Sequence, residues 1–311
     1  MLSQGGFGFF GGLTPKETIT MLRPMKRTLF GLLSLALMWN AVGMVGFAQE
    51  AEEAAKEEEV PKEPIFPDKN LEAVVRKSVY AKRNNDEPIT EDDVLNISTV
   101  KGRGMNVRDL TGLEKCRSLA LLDLADNQIT DISPIANLPR LQSLDLSNNA
   151  ISDISTLSTL KALQYIELSN NQVSDLKPLS TLTNMSALYL GYNRIKYIYP
   201  ILDLPKLASL HLSVNEIESI EGISSLKWLS SLSLDGNKIF NLYPLEDLRN
   251  LNYLFLEYNH VADIGPLIAS AKADYEGEKR FAPFLHFYVK GNRIPRSQLD
   301  KIKEYGVRVF R

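Results

Sequence analysis

The sequence contains few of the side chains that most often carry catalysis or bind metals. Its 311 residues include one cysteine and three histidines. A single cysteine excludes an intramolecular disulfide, and His211, His260 and His286 do not have the spacing of metal ligands. No glycine-rich phosphate loop, nucleophile elbow or kinase signature is found in it. We therefore predict that the protein is not an enzyme, with no catalytic residue, no metal and no cofactor.

A strong excess of basic residues is also missing. The formal net charge is −3, and Glu50–Pro64 alone carries seven acidic residues against two lysines and no aromatic residue. Such a segment cannot bury enough apolar surface to fold, so we expect residues 49–64 to form an acidic, disordered linker. The rest of the chain is close to neutral, which disfavours nucleic acid and acidic membrane surfaces as partners.

A pattern typical of an export signal precedes this linker. Two basic residues follow Met25, an apolar stretch covers Leu29–Trp39, and a small-residue cleavage site ends at Ala48. This order is typical of a secretory signal peptide, so we predict that residues 25–48 are removed and that the mature chain begins at Gln49.

The protein is then expected to be exported: periplasmic, at the cell surface or secreted. Residues 1–24, which no export signal needs, are not expected in the native export product. The alternative is an uncleaved signal anchor, because Leu29–Phe47 is nearly long enough to span a bilayer. For the mature chain we expect no stable membrane insertion.

What the sequence does contain is one pattern that returns every 22 residues. Seven asparagines stand at this spacing, and an eighth follows after an interruption of 33 residues. They are Asn127, Asn149, Asn171, Asn193, Asn215, Asn237, Asn259 and Asn292. Around each the frame reads L-x-x-L-x-L-x-x-N-x-I-x-x-I-x-x-I-x-x-L-x-x, as in Leu119–Arg140. Seven copies span residues 119–270, and 48 of their 49 apolar positions hold Leu, Ile, Val or Met, only Ser270 departing.

The frame predicts one short strand in each repeat. Its fourth and sixth positions alternate, as Leu144 and Leu146 do, so both point to the core while their neighbours face solvent. Successive copies then form a parallel sheet on one wall of a coil, and a 3₁₀ turn closes the other wall. Prolines in one column fit the start of that turn: Pro134, Pro178, Pro200, Pro244 and Pro266. Aspartates three residues earlier can accept hydrogen bonds from its free N–H groups: Asp131, Asp153, Asp175 and Asp263.

The asparagine column is predicted to be structural. A tight turn after the strand buries backbone polar groups, and a carboxamide can both donate to and accept from them. We predict that Asn171→Ala destabilises the fold by roughly 1–3 kcal/mol. Asn170, one residue earlier, is expected to face outward and to tolerate alanine within about 0.5 kcal/mol.

The period and the I-x-D-I-x-P stretch at Ile129–Pro134 resemble those of bacterial internalin-type leucine-rich-repeat proteins. The resemblance covers roughly residues 64–311. It implies an α/β leucine-rich-repeat solenoid with a parallel sheet on the concave face, 3₁₀ turns on the convex face, a helical N-terminal cap and a helix–strand C-terminal cap. For function it implies adhesion or surface recognition.

The two ends of the repeat array are predicted to be capped. Residues 65–118 hold a helix at Pro67–Tyr80, a capping box at Thr90 and Asp93, and a degenerate first repeat. In residues 271–311, Ala271–Pro283 is interpreted as a surface loop that delays the last strand. The last strand is predicted where Phe284, Phe287, Val289 and Asn292 fill the positions of the repeat. A helix at Ser297–Tyr305 and a strand at Val307–Phe310 are then expected to close the core. Cys116 occupies a core column, so its thiol is expected to be buried.

The remaining candidate for function is the solvent side of the sheet, where aromatic residues are concentrated. The predicted binding residues are Tyr165, Tyr189, Tyr192, His211, Tyr253, Phe255, Tyr258 and Tyr288. Aromatic side chains are over-represented at recognition surfaces because they bury much area for little entropy. We therefore predict an exported module that recognises an unknown protein ligand through its concave face. Two alternatives stay open: a glycan- or peptidoglycan-binding envelope protein, and an intracellular scaffold like the leucine-rich-repeat regulators of protein phosphatases.

Overall fold

The computed structural model describes residues 64–311, so the predicted signal peptide and acidic linker lie outside the described residues. Within them, ten strands form one parallel sheet in strict sequence order. The strands are β1 Thr99–Lys101, β2 Leu121–Asp123, β3 Ser143–Asp145, β4 Tyr165–Glu167, β5 Ala187–Tyr189, β6 Ser209–His211, β7 Ser231–Ser233, β8 Tyr253–Phe255, β9 His286–Tyr288 and β10 Arg308–Phe310. The predicted solenoid with the sheet on its concave face is confirmed.

The strands stack without any slip in register. Leu144 of β3 stands opposite Leu122 of β2 and Ile166 of β4, and the middle residues of β2 to β10 form one continuous column. All 48 aliphatic frame positions are buried, with exposures of 0–3%. Each buried aliphatic side chain contributes on the order of 1.5–3 kcal/mol before chain entropy is subtracted. The repeat therefore produces one unbroken core that no single copy could form alone.

The convex side consists of short 3₁₀ turns. They run over Leu113–Lys115, Ser133–Ile135, Ser155–Thr159, Lys177–Leu179, Tyr199–Ile201, Ile223–Ser225, Tyr243–Leu245 and Ala282–Phe284. Four of the five predicted prolines begin such a turn, and Pro266 begins a longer helix instead. Asp131, Asp153 and Asp175 each accept a backbone N–H bond two residues on, at 2.8–2.9 Å. The predicted turn chemistry is confirmed.

The asparagine column forms a ladder that links neighbouring coils. The Nδ2 of Asn171 donates to the carbonyls of Leu146 and Leu168, at 3.0 and 3.1 Å. Its Oδ1 accepts the N–H of Ile151, in the preceding repeat, at 2.9 Å. The other seven members make the same kind of bonds.

The residue before each ladder asparagine has a left-handed backbone, which the sequence reading missed. Asn170 has φ +56°, and its counterparts Asp126, Asn148, Tyr192, Val214 and Tyr258 have φ between +51° and +59°. Alanine is strained in this region, whereas asparagine and glycine adopt it at little cost. The expectation that Asn170 tolerates alanine freely is therefore wrong. The recurrence of Asp, Asn and Gly at this position of the repeat indicates the left-handed conformation, because these residues adopt it most readily.

The N-terminal cap is a helix pair joined to a degenerate repeat. Helix α1, Lys69–Ser78, buries Leu71, Val74 and Val75, and α2, Glu91–Val94, follows the predicted capping box at Thr90. The carboxylate of Asp68 accepts from two N–H groups at the start of α1 and from the N–H groups of Arg108 and Asp109. This one side chain thus ties the cap to the first turn of the solenoid. Gly112 has φ +102°, and a Cβ there would lie 2.4 Å from the Ile65 carbonyl oxygen, so only glycine fits.

The C-terminal insert differs from its prediction. Residues Gly265–Glu276 form helix α3, so Ala271–Pro283 is not simply a surface loop. Asp274 is 3% exposed, and its carboxylate accepts the N–H groups of Arg280, Phe281 and Ala282 at 3.0–3.1 Å. This buried carboxylate organises the turn, which a pattern of polar residues alone does not indicate.

The last coil keeps its register and differs from its prediction only at the first core position. Leu285 fills the core position expected for Phe284, which is 57% exposed. Helix α4, Arg296–Lys303, buries Leu299 and Ile302 and closes the end of the core as predicted, whereas none of the three residues of β10 is fully buried. Among residues 64–311, none of the helices has both the length and the apolar character needed to cross a bilayer.

Candidate binding face

The solvent side of the sheet consists of two side-chain columns, because each strand is three residues long and its middle residue points to the core, fully buried in β1–β9 and partly buried in β10. The first column takes the first residue of each strand and the second column takes the third. From β1 to β10 the first column is Thr99, Leu121, Ser143, Tyr165, Ala187, Ser209, Ser231, Tyr253, His286 and Arg308. The second is Lys101, Asp123, Asp145, Glu167, Tyr189, His211, Ser233, Phe255, Tyr288 and Phe310. We call these twenty residues the concave face.

Three predicted residues meet in the middle of this face and form the central cluster: Tyr165, Tyr189 and His211. The ring centroids of Tyr165 and Tyr189 lie 5.4 Å apart, and those of Tyr189 and His211 lie 4.5 Å apart. Both pairs are tilted, by 42° and 39°. Burial lowers the pKa of His211, which favours the neutral imidazole. Burial, followed by the nearby carboxylates of Glu167 and Asp145, raises the pKa of Tyr165 to about 12.

A second group of rings, the terminal stack, covers β8 to β10: Tyr253, Phe255, His286, Tyr288 and Phe310. Tyr288 lies between Phe255 and Phe310 with centroid distances of 4.5 Å on both sides and ring planes within 16°. His286 is stacked in the same way between Tyr253 and Phe310, at 5.1 and 5.8 Å. Arg308 approaches the Nε2 of His286 to 3.2 Å, and the Nδ1 of His286 lies 2.9 Å from the Phe284 carbonyl oxygen. The serines of β7 separate this stack from the central cluster.

The structure does not place two of the predicted residues in either group. Tyr192 and Tyr258 follow their strands at the left-handed turn position and are 56% and 57% exposed. They lie beyond the C-terminal ends of their strands, along the rim of the sheet, where the ammonium group of Lys290 is 5.9 Å from the centre of the Tyr258 ring. The predicted set is therefore divided among the middle of the face, its C-terminal end and its edge.

Two rings of the terminal stack were not among the predicted binding residues. The sequence analysis considers His286 only as a possible metal ligand and places Phe310 in the strand that closes the core. Phe310 is instead 40% exposed and stacks on Tyr288. The repeat could have placed Phe310 on the concave face, because Phe310 stands 22 residues after Tyr288 and Arg308 stands 22 residues after His286.

Carboxylates occupy the N-terminal part of the second column. Asp123, Asp145 and Glu167 are direct register neighbours on β2, β3 and β4, and we call them the acidic row. One oxygen of each accepts a backbone N–H two residues on, at 2.8–3.3 Å. Burial raises the pKa of the Glu167 carboxyl, and Asp145 adds to this rise.

The face offers little for covalent chemistry. His211 and His286 lie on β6 and β9, three strands apart in the sheet. The thiol of Cys116 is fully buried in the core, and burial raises its pKa to about 12, so the reactive thiolate is strongly disfavoured. The arrangement of rings, hydroxyls and carboxylates is suited to binding through surface contact.

Comparison with known proteins agrees with this architecture. A family model for leucine-rich repeats in two copies matches residues 117–159 and 161–204. Internalin C2 of Listeria monocytogenes is 33% identical over 65% of this chain and 89% of that chain, with a TM-score of 0.63. A second internalin of that species, inlF, is 23% identical over 79% and 88% of the two chains, with a TM-score of 0.51. The plant peptide hormone receptor RGFR1, solved in complex with RGF2, is 24% identical over 59% of this chain and 30% of that chain, with a TM-score of 0.50.

The last two similarities show the fold alone. The first goes further, because it joins one third sequence identity to coverage of nearly the whole of internalin C2. Together with the repeat of 22 residues, the asparagine ladder and the helical N-terminal cap, it shows that this chain belongs to the bacterial internalin-type leucine-rich-repeat proteins.

Proposed function

We propose that this protein is exported and recognises another protein through its concave face. Leucine-rich-repeat folds are typically modules for protein–protein interaction, and scaffolds of this kind are generally not catalytic. The observation that carries the proposal is the concentration of eight flat rings on one side of the sheet, in the central cluster and the terminal stack. Clusters of this kind are what a protein interface uses as anchors.

Ring geometry favours a protein over a glycan as the partner. A sugar stacks on the free face of an aromatic ring. In the terminal stack the faces of Tyr288 are covered by Phe255 and Phe310 at 4.5 Å, and those of His286 by Tyr253 and Phe310. These rings therefore present mainly their edges to the solvent. Edges and the gaps between them fit the side chains of a polypeptide better than the flat side of a pyranose.

Export is the second part of the proposal and depends on the sequence of residues 25–48. We expect the mature chain to begin at Gln49, which N-terminal sequencing of secreted material would test. A mature chain that still carries Leu29–Trp39 would make the protein membrane-anchored. An intracellular phosphatase regulator is the remaining alternative, and recovery of the protein solely in the cytoplasmic fraction would favour it.

The binding surface can be tested by side-chain truncation once a partner has been captured from the envelope or culture medium. Tyr189→Ala and Phe255→Ala should each weaken partner binding by about 2 kcal/mol or more, as removal of an interface anchor does. Each also loses two intramolecular ring contacts, which should lower stability by roughly 1–3 kcal/mol. Titration calorimetry gives the affinity, and circular dichroism confirms that the variants are folded.

Lys177→Ala and Lys196→Ala are matched controls. Lys177 begins a convex 3₁₀ turn, and Lys196 is 3.4 Å from Glu216 beyond the sheet, so neither contributes to the concave face. Their affinity should equal that of the unmodified protein. If both aromatic variants kept full affinity, the rings would merely cover the sheet, and binding through the concave aromatic groups would be refuted.

A further inference from the structure

The concave face is chemically divided along the solenoid, which allows the partner to be described more closely. After Lys101 on β1, the second column has carboxylates on β2–β4, two rings and a serine on β5–β7, and three aromatic rings on β8–β10. The column is continuous, because every strand pairs in register with the next.

The acidic row forms no ion pair among the described residues, although Lys101 stands opposite Asp123 in register and the charge of Arg103 interacts with Asp123 and Asp145. None of the ion pairs within 4.0 Å in residues 64–311 involves Asp123, Asp145 or Glu167, and the nearby Arg103 is bound to Asp126 at 2.6 Å. Like charges in directly opposed positions of a sheet destabilise it. Asp145 and Glu167 are opposed in this way without a paired cation, a cost that a cationic ligand would lower.

The other end of the face has the opposite character. The six concave-face residues of β8–β10 are the five rings of the terminal stack and Arg308, with no carboxylate. Arg308 would repel a cationic ligand there, while beyond the strands Lys290 and Glu257 hold equivalent positions of neighbouring coils and offset each other in charge. Basic side chains are thus favoured over the acidic row and disfavoured over the terminal stack, while apolar side chains have the reverse preference.

On the basis of the proposed function, we infer that the partner supplies a linear polypeptide segment with basic side chains over the acidic row and aromatic or aliphatic side chains over the terminal stack. Neighbouring strands stand about 4.8 Å apart, so Glu167 on β4 and Phe255 on β8 are separated by roughly 19 Å. An extended chain rises about 3.3 Å per residue, which puts about six residues between the two parts of the segment. This chain's own Glu50–Pro64 linker is not the occupant, because its seven acidic residues would be repelled by the row.

Two synthetic peptides of identical composition provide the test. Both have about twelve residues, the length that covers the row, the central cluster and the stack. The block peptide carries three arginines at one end, six glycine and serine residues, and three aromatic residues at the other end. The interleaved peptide alternates the arginines and aromatic residues. Binding of each fluorescein-labelled peptide to the full chain is measured by fluorescence anisotropy at low and high salt.

The block peptide should bind about ten-fold more tightly than the interleaved peptide. The double variant Asp145→Asn/Glu167→Gln should lose about ten-fold in affinity at low salt and little at high salt, because screening weakens exposed charge pairs. Phe255→Ala should weaken binding equally at both salt concentrations. Asp203→Asn, which removes an exposed carboxylate on the convex side, is the matched control and should have no effect. The acidic-row changes keep the size of each side chain, so the fold should persist.

Equal affinity for the two peptides, or indifference of the block peptide to the acidic-row double variant, would overturn the inference. Its failure can be separated from failure of the proposed function. If the captured partner still depends on Tyr189 and Phe255 while the peptides do not discriminate, concave-face recognition stands and only the described ligand chemistry is wrong. A partner that is indifferent to all of these changes refutes both.

Discussion

Replacement of Asn171 by alanine tests the structural account of the ladder most directly. Asn171 is 9% exposed and bonds to three backbone groups, two in the preceding coil and one in its own. Replacement by alanine would remove a hydrogen bond from each of these backbone groups, but not every group would be left without a partner. The carbonyl oxygens of Leu146 and Leu168 keep a second carboxamide donor, from Asn149 and Asn193 respectively. The N–H of Ile151 has only the Oδ1 of Asn171, at 2.9 Å.

The expected magnitude follows from that difference. Alanine leaves one buried N–H group without an acceptor, which costs about 1–3 kcal/mol, while the two carbonyls remain bonded. The free energy of unfolding should fall by this amount in urea titrations followed by circular dichroism. The dependence on urea concentration should stay unchanged, because the surface exposed on unfolding is the same.

A second variant at this position separates hydrogen bonding from packing. Asn171→Asp has the same shape and can still accept from Ile151, but a carboxylate would face the carbonyl oxygens of Leu146 and Leu168. Burial and this repulsion would raise the carboxyl pKa in the folded state above its value of about 4 in the unfolded state. The folded state then binds the proton more tightly, so the variant loses stability as the pH rises above about 4. At neutral pH it should be less stable than the alanine variant.

The controls are the exposed neighbours on either side. Gln172→Ala should change stability by no more than about 0.5 kcal/mol, because its side chain lies in solvent. Asn170→Gly should also be close to neutral, since glycine tolerates φ +56°. If Asn171→Ala cost no more than Gln172→Ala, the ladder would be a consequence of the fold and not one of its supports.

Two further predictions concern the insert and one strained turn. Asp274→Ala should lower the free energy of unfolding by about 3 kcal/mol or more in the same urea assay, because two buried N–H groups and one partly buried N–H group lose a charged acceptor. The control Glu276→Ala, on the exposed side of α3, should lower it by at most about 0.5 kcal/mol. Comparable values for the two variants would show that the turn does not depend on the Asp274 carboxylate. Val214 has φ +51°, where a β-branched side chain is strained. Val214→Asn should therefore raise the free energy of unfolding by about 1 kcal/mol and raise the melting temperature accordingly. A destabilised variant would mean that contacts of the valine side chain outweigh the strain.

The repeat made the core and its wall predictable position by position. Since each coil offers the same environment as the one before it, a column such as Leu122, Leu144 and Ile166 needs only the period to be assigned to the interior. The asparagine ladder and the aspartates of the 3₁₀ turns were predictable for the same reason, because backbone groups left unpaired at a fixed place in every coil require a partner at that place.

Prediction failed where the repeat is interrupted or where neighbours in space decide the outcome. No other coil is a template for the insert, so the helix Gly265–Glu276 and the buried carboxylate of Asp274 were not indicated by the frame. The outward positions of the repeat predicted most of the rings on the concave face, but they did not predict which rings would be in contact. That depends on the left-handed turn, which moves Tyr192 and Tyr258 to the edge of the sheet, and on the closing coil, which brings Phe310 onto Tyr288.

The sequence by itself therefore determined the solenoid, its register and the residues of its interior, because those are set by local spacing repeated many times. The order of the outward positions also indicated that the face is acidic on its early strands and aromatic on its later ones. Only the tertiary structure decided which aromatic rings are in contact and that they form two separate groups. Those properties belong to side chains from different coils, and stacking of the coils within about 4.8 Å of one another is what brings them together.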